Sequence, residues 1–130
     1  MSKSATPLGR VRGLGPAGNV GHHWIEERFI SVALFLLCLW LIFSLAMLPA
    51  LDRDTLVEWL RAPAGAVPMA LFVLAVFKHA ADGMKVFVDD YVHDEGNLVA
   101  VHYVFKMAAI AGAALCLFAL ARIAFGAPVA

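Results

Sequence analysis

The side chains able to do chemistry in this sequence are few, and they concentrate in residues 79–91, HAADGMKVFVDDY. On a helix advancing about 100° per residue, Gly83 falls about 40° from His79, Val86 about 20° to one side and Asp90 about 20° to the other. His79, Gly83, Val86 and Asp90 therefore share one stripe if the helix continues to Asp90. The stripe separates an imidazole from a carboxylate by about 16 Å along the axis, with a bare glycine one turn beyond the imidazole. Neutral imidazole is a common axial ligand of haem iron. A glycine beside it removes the side chain that would strike a flat macrocycle lying against the helix. A histidine hydrogen-bonded to a neighbouring helix would fit the same pattern without a ligand. Asp90 and Tyr91 close the segment. A phenol next to a carboxylate at a lipid boundary can hydrogen-bond a quinone carbonyl and relay protons to it, and a tyrosine there can equally be an interface anchor. Arg28 and Ser31 open a separate apolar stretch. Arg28 suits a charge-assisted bond to an anion such as a haem propionate, or marks the cytoplasmic end of a span.

These groups must be positioned by elements that suit lipid. Of the 130 residues, 62% are hydrophobic and only 15% charged, with ten basic and ten acidic side chains. Disordered chains combine low hydrophobicity with high net charge, and nucleic-acid binders carry a basic excess, so both classes are excluded. A soluble chain of this length buries only about two thirds of its surface, too little to hide so much apolar area. A bilayer core takes about 20 apolar residues in helical form. Three stretches qualify, at about 29–50, 66–88 and 98–125. Pro49 marks the end of the first, and Pro68 is expected in the first turn of the second, where proline is tolerated. The fold class is all-α, an integral membrane bundle of three transmembrane helices over residues 22–126. Residues 1–21 are expected to form a mobile tail rich in Gly, Ser, Pro and Arg, without the apolar core of a signal peptide, and 127–130 a short C-terminal one.

The connections carry their own signals. Residues 51–65 contain DRDTLVEWLRAP, which predicts a short amphipathic helix capped by Asp52 or Asp54. Residues 89–97, DDYVHDEGN, predict a tight acidic turn. Lys3, Arg10, Arg12 and Arg28 on one side against Arg53, Arg61 and Arg122 on the other favour a cytoplasmic N-terminus. The second loop then lies beside the N-terminus, and the C-terminus across the membrane. Trp40 and Trp59 are expected to pack or to anchor at the interface. Lys78 and Lys85 are spaced to pair with Asp82, and Gly112 in the run AAIAGAALC is placed for close helix packing. Cys38 and Cys116 lack ligand spacing and read as small apolar residues.

A haem with two histidine ligands needs both at one depth. His79 lies about nine residues from the loop end of its span, or roughly 13 Å, whereas His102 lies only about four residues, or roughly 6 Å, into the third. His22, His23 and His93 fall outside the spans. The second ligand is therefore expected from another subunit.

The stretch from His79 to Val92 resembles the second helix of the succinate dehydrogenase hydrophobic membrane anchor, the smaller hydrophobic subunit of complex II. The family pattern is a histidine, a glycine four residues on, and an Asp-Tyr pair eleven and twelve residues after the histidine, and all three spacings hold here. His22-His23-Trp24 ahead of Arg28 and Ser31 is similar to the family's first-helix start, with a doubled histidine and Glu27 where a glutamine is common. The resemblance covers roughly residues 13–126. It implies half of a six-helix anchor built with a sister cytochrome b subunit, which docks a flavoprotein and an iron–sulfur subunit in a bacterial inner membrane. It implies haem b on His79, ubiquinone at Tyr91 with Asp90 in support, Gly83 at the macrocycle, and Arg28, Ser31 and His22 or His23 near the propionates. No residue of the chain takes a catalytic step in this reading; electrons from succinate pass to quinone through the complex. A purely structural anchor, a small proton-coupled transporter subunit using His79 and Asp82, and the anchor of a fumarate reductase are the competing readings.

Overall fold

A computed structural model describes residues 6–8 and 18–126, except for the side chains of residues 18–20, His22, His23 and Glu95. Four helices follow one another: α1 (Gly18–Ala46), α2 (Arg53–Arg61), α3 (Pro63–Tyr91) and α4 (Glu95–Phe125), with no strand among the described residues. Segments Trp24–Ala46, Pro63–Tyr91 and Gly96–Phe125 are long and apolar enough to cross a membrane. The three expected spans are thus present, with shifted ends.

Each shift has a local cause. α1 stops at Ala46, ahead of the expected end at residue 50, because Pro49 disfavours helical backbone before it. The chain leaves through a tight turn in which the Leu48 N–H donates to the Leu45 carbonyl at 3.3 Å. At its other end α1 begins at Gly18, so residues 18–21, expected in a tail, are helical; residues 9–17 and 127–130 lie outside the described residues. α3 begins earlier than expected, with Pro63 in its first turn and extended backbone at Ala62 before it. Pro68 consequently falls inside the helix and not in its first turn. The hydrogen bond it cannot make belongs to the carbonyl of Ala64, an exposed residue near the helix end. α3 also runs on through Asp89 and Asp90 to Tyr91, so the acidic turn shrinks to residues 92–94. Asp94 caps α4 by accepting from the Asn97 N–H at 2.9 Å.

Of the two candidates, Asp52 is the cap of α2: its carboxylate accepts from the Thr55 N–H at 2.8 Å. That bond favours the charged form and holds the Asp52 carboxyl below the usual carboxylate range. The expected amphipathic helix is present. It packs on α3 and α4, and Arg61 Nε donates to the Ile123 carbonyl at 3.4 Å. Trp59 on α2 stacks on Trp40 of α1, ring centroids 5.6 Å apart, so the two tryptophans tie the loop to the first span.

α3 is the central element. It packs against α1 on one side and α4 on the other, while α1 and α4 do not pack on each other. The α3–α4 seam is close. A Cβ placed on Gly112 would lie 2.5 Å from the Phe77 ring, so the expected role of this glycine in close packing holds. Only Gly65, Ala75, Val88 and Leu120 are buried among the described residues. Large apolar side chains such as Phe29, Phe43, Leu71 and Leu115 are exposed around the row. Such a surface is stable only in lipid or against other transmembrane helices.

Candidate functional site

α1 and α3 run antiparallel and leave a cleft of about 220 Å³ between them, lined by Glu27, Arg28, Ser31, His79, Asp82 and Gly83. Four residues expected to face one ligand therefore meet in one place: Arg28 and Ser31 from α1, His79 and Gly83 from α3. The meeting is a product of register. α1 presents residues 27–31 where α3 presents residues 79–83, one turn of each helix.

The imidazole of His79 is exposed to this cleft and has no hydrogen-bond or ion-pair partner among the described residues. Among the described residues, no interhelical hydrogen bond of the kind the ligand-free reading requires holds it. Gly83 lies one turn further on, and a Cβ placed there would meet no atom within 4 Å. Among the described residues no packing contact requires a glycine at that position, in contrast to Gly112. The flat surface it makes faces the cleft. Arg28 rests its guanidinium over the Trp24 ring, 5.4 Å from the centroid, which leaves its N–H groups free to meet an anion at the cleft mouth. Ser31 uses its hydroxyl proton within α1, donating to the Glu27 carbonyl at 2.7 Å. It offers the cleft an acceptor oxygen.

Glu27 and Asp82 also line the cleft; neither is a site residue in the haem reading, and Asp82 joins His79 only in the transporter reading. Asp82 is only about 60° around the helix from His79, so its angle carried the signal. Its attraction to lysine masked it: Lys78 pairs with Asp82, whereas Lys85 does not. Asp90 and Tyr91 are elsewhere. α3 does reach them, so the stripe from His79 to Asp90 lies on one continuous helix. They sit about three turns beyond His79, exposed at the helix end, with the Tyr91 ring stacked on Phe87 at 4.5 Å between centroids. The side chains of His22 and His23 lie outside the described ones. His102 projects from α4 toward Asp89, its Nε2 3.1 Å from Oδ1. That nitrogen is buried and makes no directed hydrogen bond, so the contact is an electrostatic approach. His102 is thus level with Asp89, about 15 Å along α3 from His79.

No group of three or more His, Cys, Asp or Glu side chains is gathered for a metal ion among the described residues. A lone imidazole beside a bare glycine and an arginine suits a metal that arrives with its own equatorial donors and carboxylates, as haem does.

The profile of the succinate dehydrogenase/fumarate reductase transmembrane subunit family matches residues 2–121. The chain belongs to this family. Its relatives include the succinate dehydrogenase hydrophobic membrane anchor subunit of Paracoccus denitrificans, 32% identical over 125 residues, a match covering 94% of either chain. The protein of the same description from Rickettsia bellii is 28% identical over 83 residues, spanning 64% of this chain and 66% of that relative. A third, from Rickettsia felis, is 29% identical over 100 residues, 75% of this chain and 83% of the relative. No solved structure matches. The chain is thus a membrane anchor subunit of the succinate dehydrogenase type, and the cleft on α3 lies in an anchor that has to work beside other subunits.

Proposed function

We propose that this anchor holds haem b through His79 and contributes Asp90 and Tyr91 to a ubiquinone reduction site. It does so together with a sister cytochrome b anchor, an iron–sulfur subunit and a flavoprotein. The observation that carries the reading is the pairing of an imidazole without a partner among the described residues and a glycine that no packing among them requires. A second histidine for the haem would come from the sister anchor, because His79 and His102 stand at different depths.

The haem supplies a one-electron redox centre between the anchors when bound. The rest is done by side chains of this chain. His79 offers a ring-nitrogen lone pair toward the cleft. Gly83 keeps the adjacent helix surface flat. Arg28, steadied by Trp24, neutralises a propionate at the cleft mouth, with Ser31 and His22 or His23 nearby. Tyr91 donates its O–H to a quinone carbonyl at the end of α3. Asp90 takes protons from the aqueous side and passes them toward the reduced quinone oxygen. The N-terminus and the 92–94 turn lie on the cytoplasmic side of a bacterial inner membrane, with the C-terminus periplasmic.

The test is a reduced-minus-oxidised spectrum of the purified complex carrying His79→Ala. Loss of the b-type band is the expected result, and an unchanged band would remove His79 as ligand. Succinate-driven quinone reduction with Tyr91→Phe tests the second site, and unimpaired turnover would remove Tyr91 from it.

A further inference from the structure

A second cavity flanks α3 on its other side. It has about 460 Å³ and lies between α3 and α4. Its lining changes along the helices. Leu74, Phe77, Ile110 and Ala113 form an apolar floor, and Lys85 and Lys106 stand above it, one from each helix. Lys78 also lines it but is neutralised by Asp82. Lys85 and Lys106 are exposed and have no hydrogen-bond or ion-pair partner among the described residues.

Two contacts fix the register of the seam. Asp89 faces His102, and Phe77 faces Gly112. The same register puts Lys85 opposite position 105, so the two free ammonium groups occupy one level. Asp82 also lines the groove but is held by Lys78, and Asp89 stands against His102. The two like charges repel across the groove, and an anion at that level removes the repulsion. The level itself is informative. The α1–α3 cleft aligns Arg28 with Asp82, and from Phe29 onward α1 carries no charge to its end. Arg28 and Asp82 therefore mark the level at which charge first appears, and Lys85 and Lys106 stand within about one turn of it toward the 92–94 turn, where long side chains can reach the headgroups.

We propose that the α3–α4 groove binds an anionic phospholipid, with its phosphate between Lys85 and Lys106 and an acyl chain along Phe77, Leu74 and Ile110. A soluble anion would gain nothing from the apolar floor, and a purely apolar occupant would leave the lysines unrelieved. Basic pockets between transmembrane helices near a membrane surface suit such headgroups.

The test uses the assembled complex in nanodiscs containing phosphatidylglycerol or phosphatidylcholine, with retained lipid read by native mass spectrometry. Wild-type complex is expected to retain phosphatidylglycerol over phosphatidylcholine by roughly 25-fold, about fivefold for each of the two lysines near the surface. Lys85→Gln with Lys106→Gln should abolish the preference, and Lys85→Arg with Lys106→Arg should keep it. Equal retention of the two lipids by wild type, or an unchanged preference in the glutamine variant, overturns the proposal. So does displacement of the lipid by millimolar inorganic phosphate, which would make the groove a bare phosphate site. If the glutamine variant does not assemble, a photoactivatable phosphatidylglycerol on wild-type complex decides. Labelling at Phe77 or Ile110 supports the site; labelling elsewhere only, or occupation of the groove by a partner protein segment, overturns it.

Discussion

The two sides of α3 meet their neighbours differently. Toward α4 the helix is fitted: Gly112 admits the Phe77 ring so closely that a methyl group would collide with it. Toward α1 it is open: Gly83 faces space that a methyl group would enter without touching an atom of the described residues. Glycine does opposite work on the two faces. On one it lets two helices of the same chain approach. On the other it leaves a surface bare among the described residues, where the proposed haem would lie. Asp82 lies between the faces and lines both cavities. The comparison separates the contacts that fold the anchor from those that equip it.

The comparison breaks first at His79. His79→Ala should remove the b-type absorption band altogether while the α3–α4 seam stays intact, measured by the visible spectrum and by assembly yield. Next in size is Tyr91→Phe. It deletes one hydrogen bond to a quinone, worth about 1–3 kcal/mol, and should slow quinone reduction by about tenfold without altering the haem spectrum, because Tyr91 lies about three turns from His79. The glycines give the sharpest contrast. Gly112→Ala should destabilise by about 1–3 kcal/mol through overpacking against Phe77, read as a lower thermal midpoint of the complex. Gly83→Ala should leave packing within the chain unchanged and lower haem retention instead. If both glycines lost stability alike and haem retention were untouched, the open face would be an ordinary packing face.

The smallest effect lies away from both faces, at the cap of α2. The Asp52 carboxyl sits below its ordinary range because the Thr55 N–H stabilises the charged form. Its contribution is therefore present above the usual carboxylate range, near pH 4, and is lost as pH falls through the lowered folded value. Asp52→Ala should speed hydrogen exchange at the Thr55 amide at neutral pH and leave both cavities unaffected.

Much of the fold was legible because its signals are local. Long uncharged runs, a cap at Asp52 or Asp54, and the stop at Pro49 each act within a few residues. The ends of α3 were less legible. Asp89 and Asp90 look like turn residues by type, yet the helix holds them, since the cap comes only at Val92. Pro68 was placed one turn too early for the same reason: Pro63, a stronger start, lay outside the apolar run. In the candidate site, His79, Gly83 and Asp90 were legible as one stripe, because a single helix has a fixed period. The meeting of Arg28 and Ser31 with that stripe rests on register between two helices, which no period encodes. Asp82 was read as a partner for lysine, and its second position at the cleft emerged only with α1 in place.

The sequence by itself determined that this chain belongs in lipid, that it crosses as three helices, and that its unusual polar groups gather on the second of them. Those properties follow from transfer energy and helical geometry, which depend on neighbours along the chain. Only the tertiary structure decided which side of α3 is closed and which is open. It also decided that His79 has no partner among the described residues, and that Lys85 and Lys106 share one level of one groove. The physical reason is the same in each case. Whether a polar group is satisfied, or a glycine is filled, depends on what stands across from it, and that is set by how the helices slide and rotate against one another.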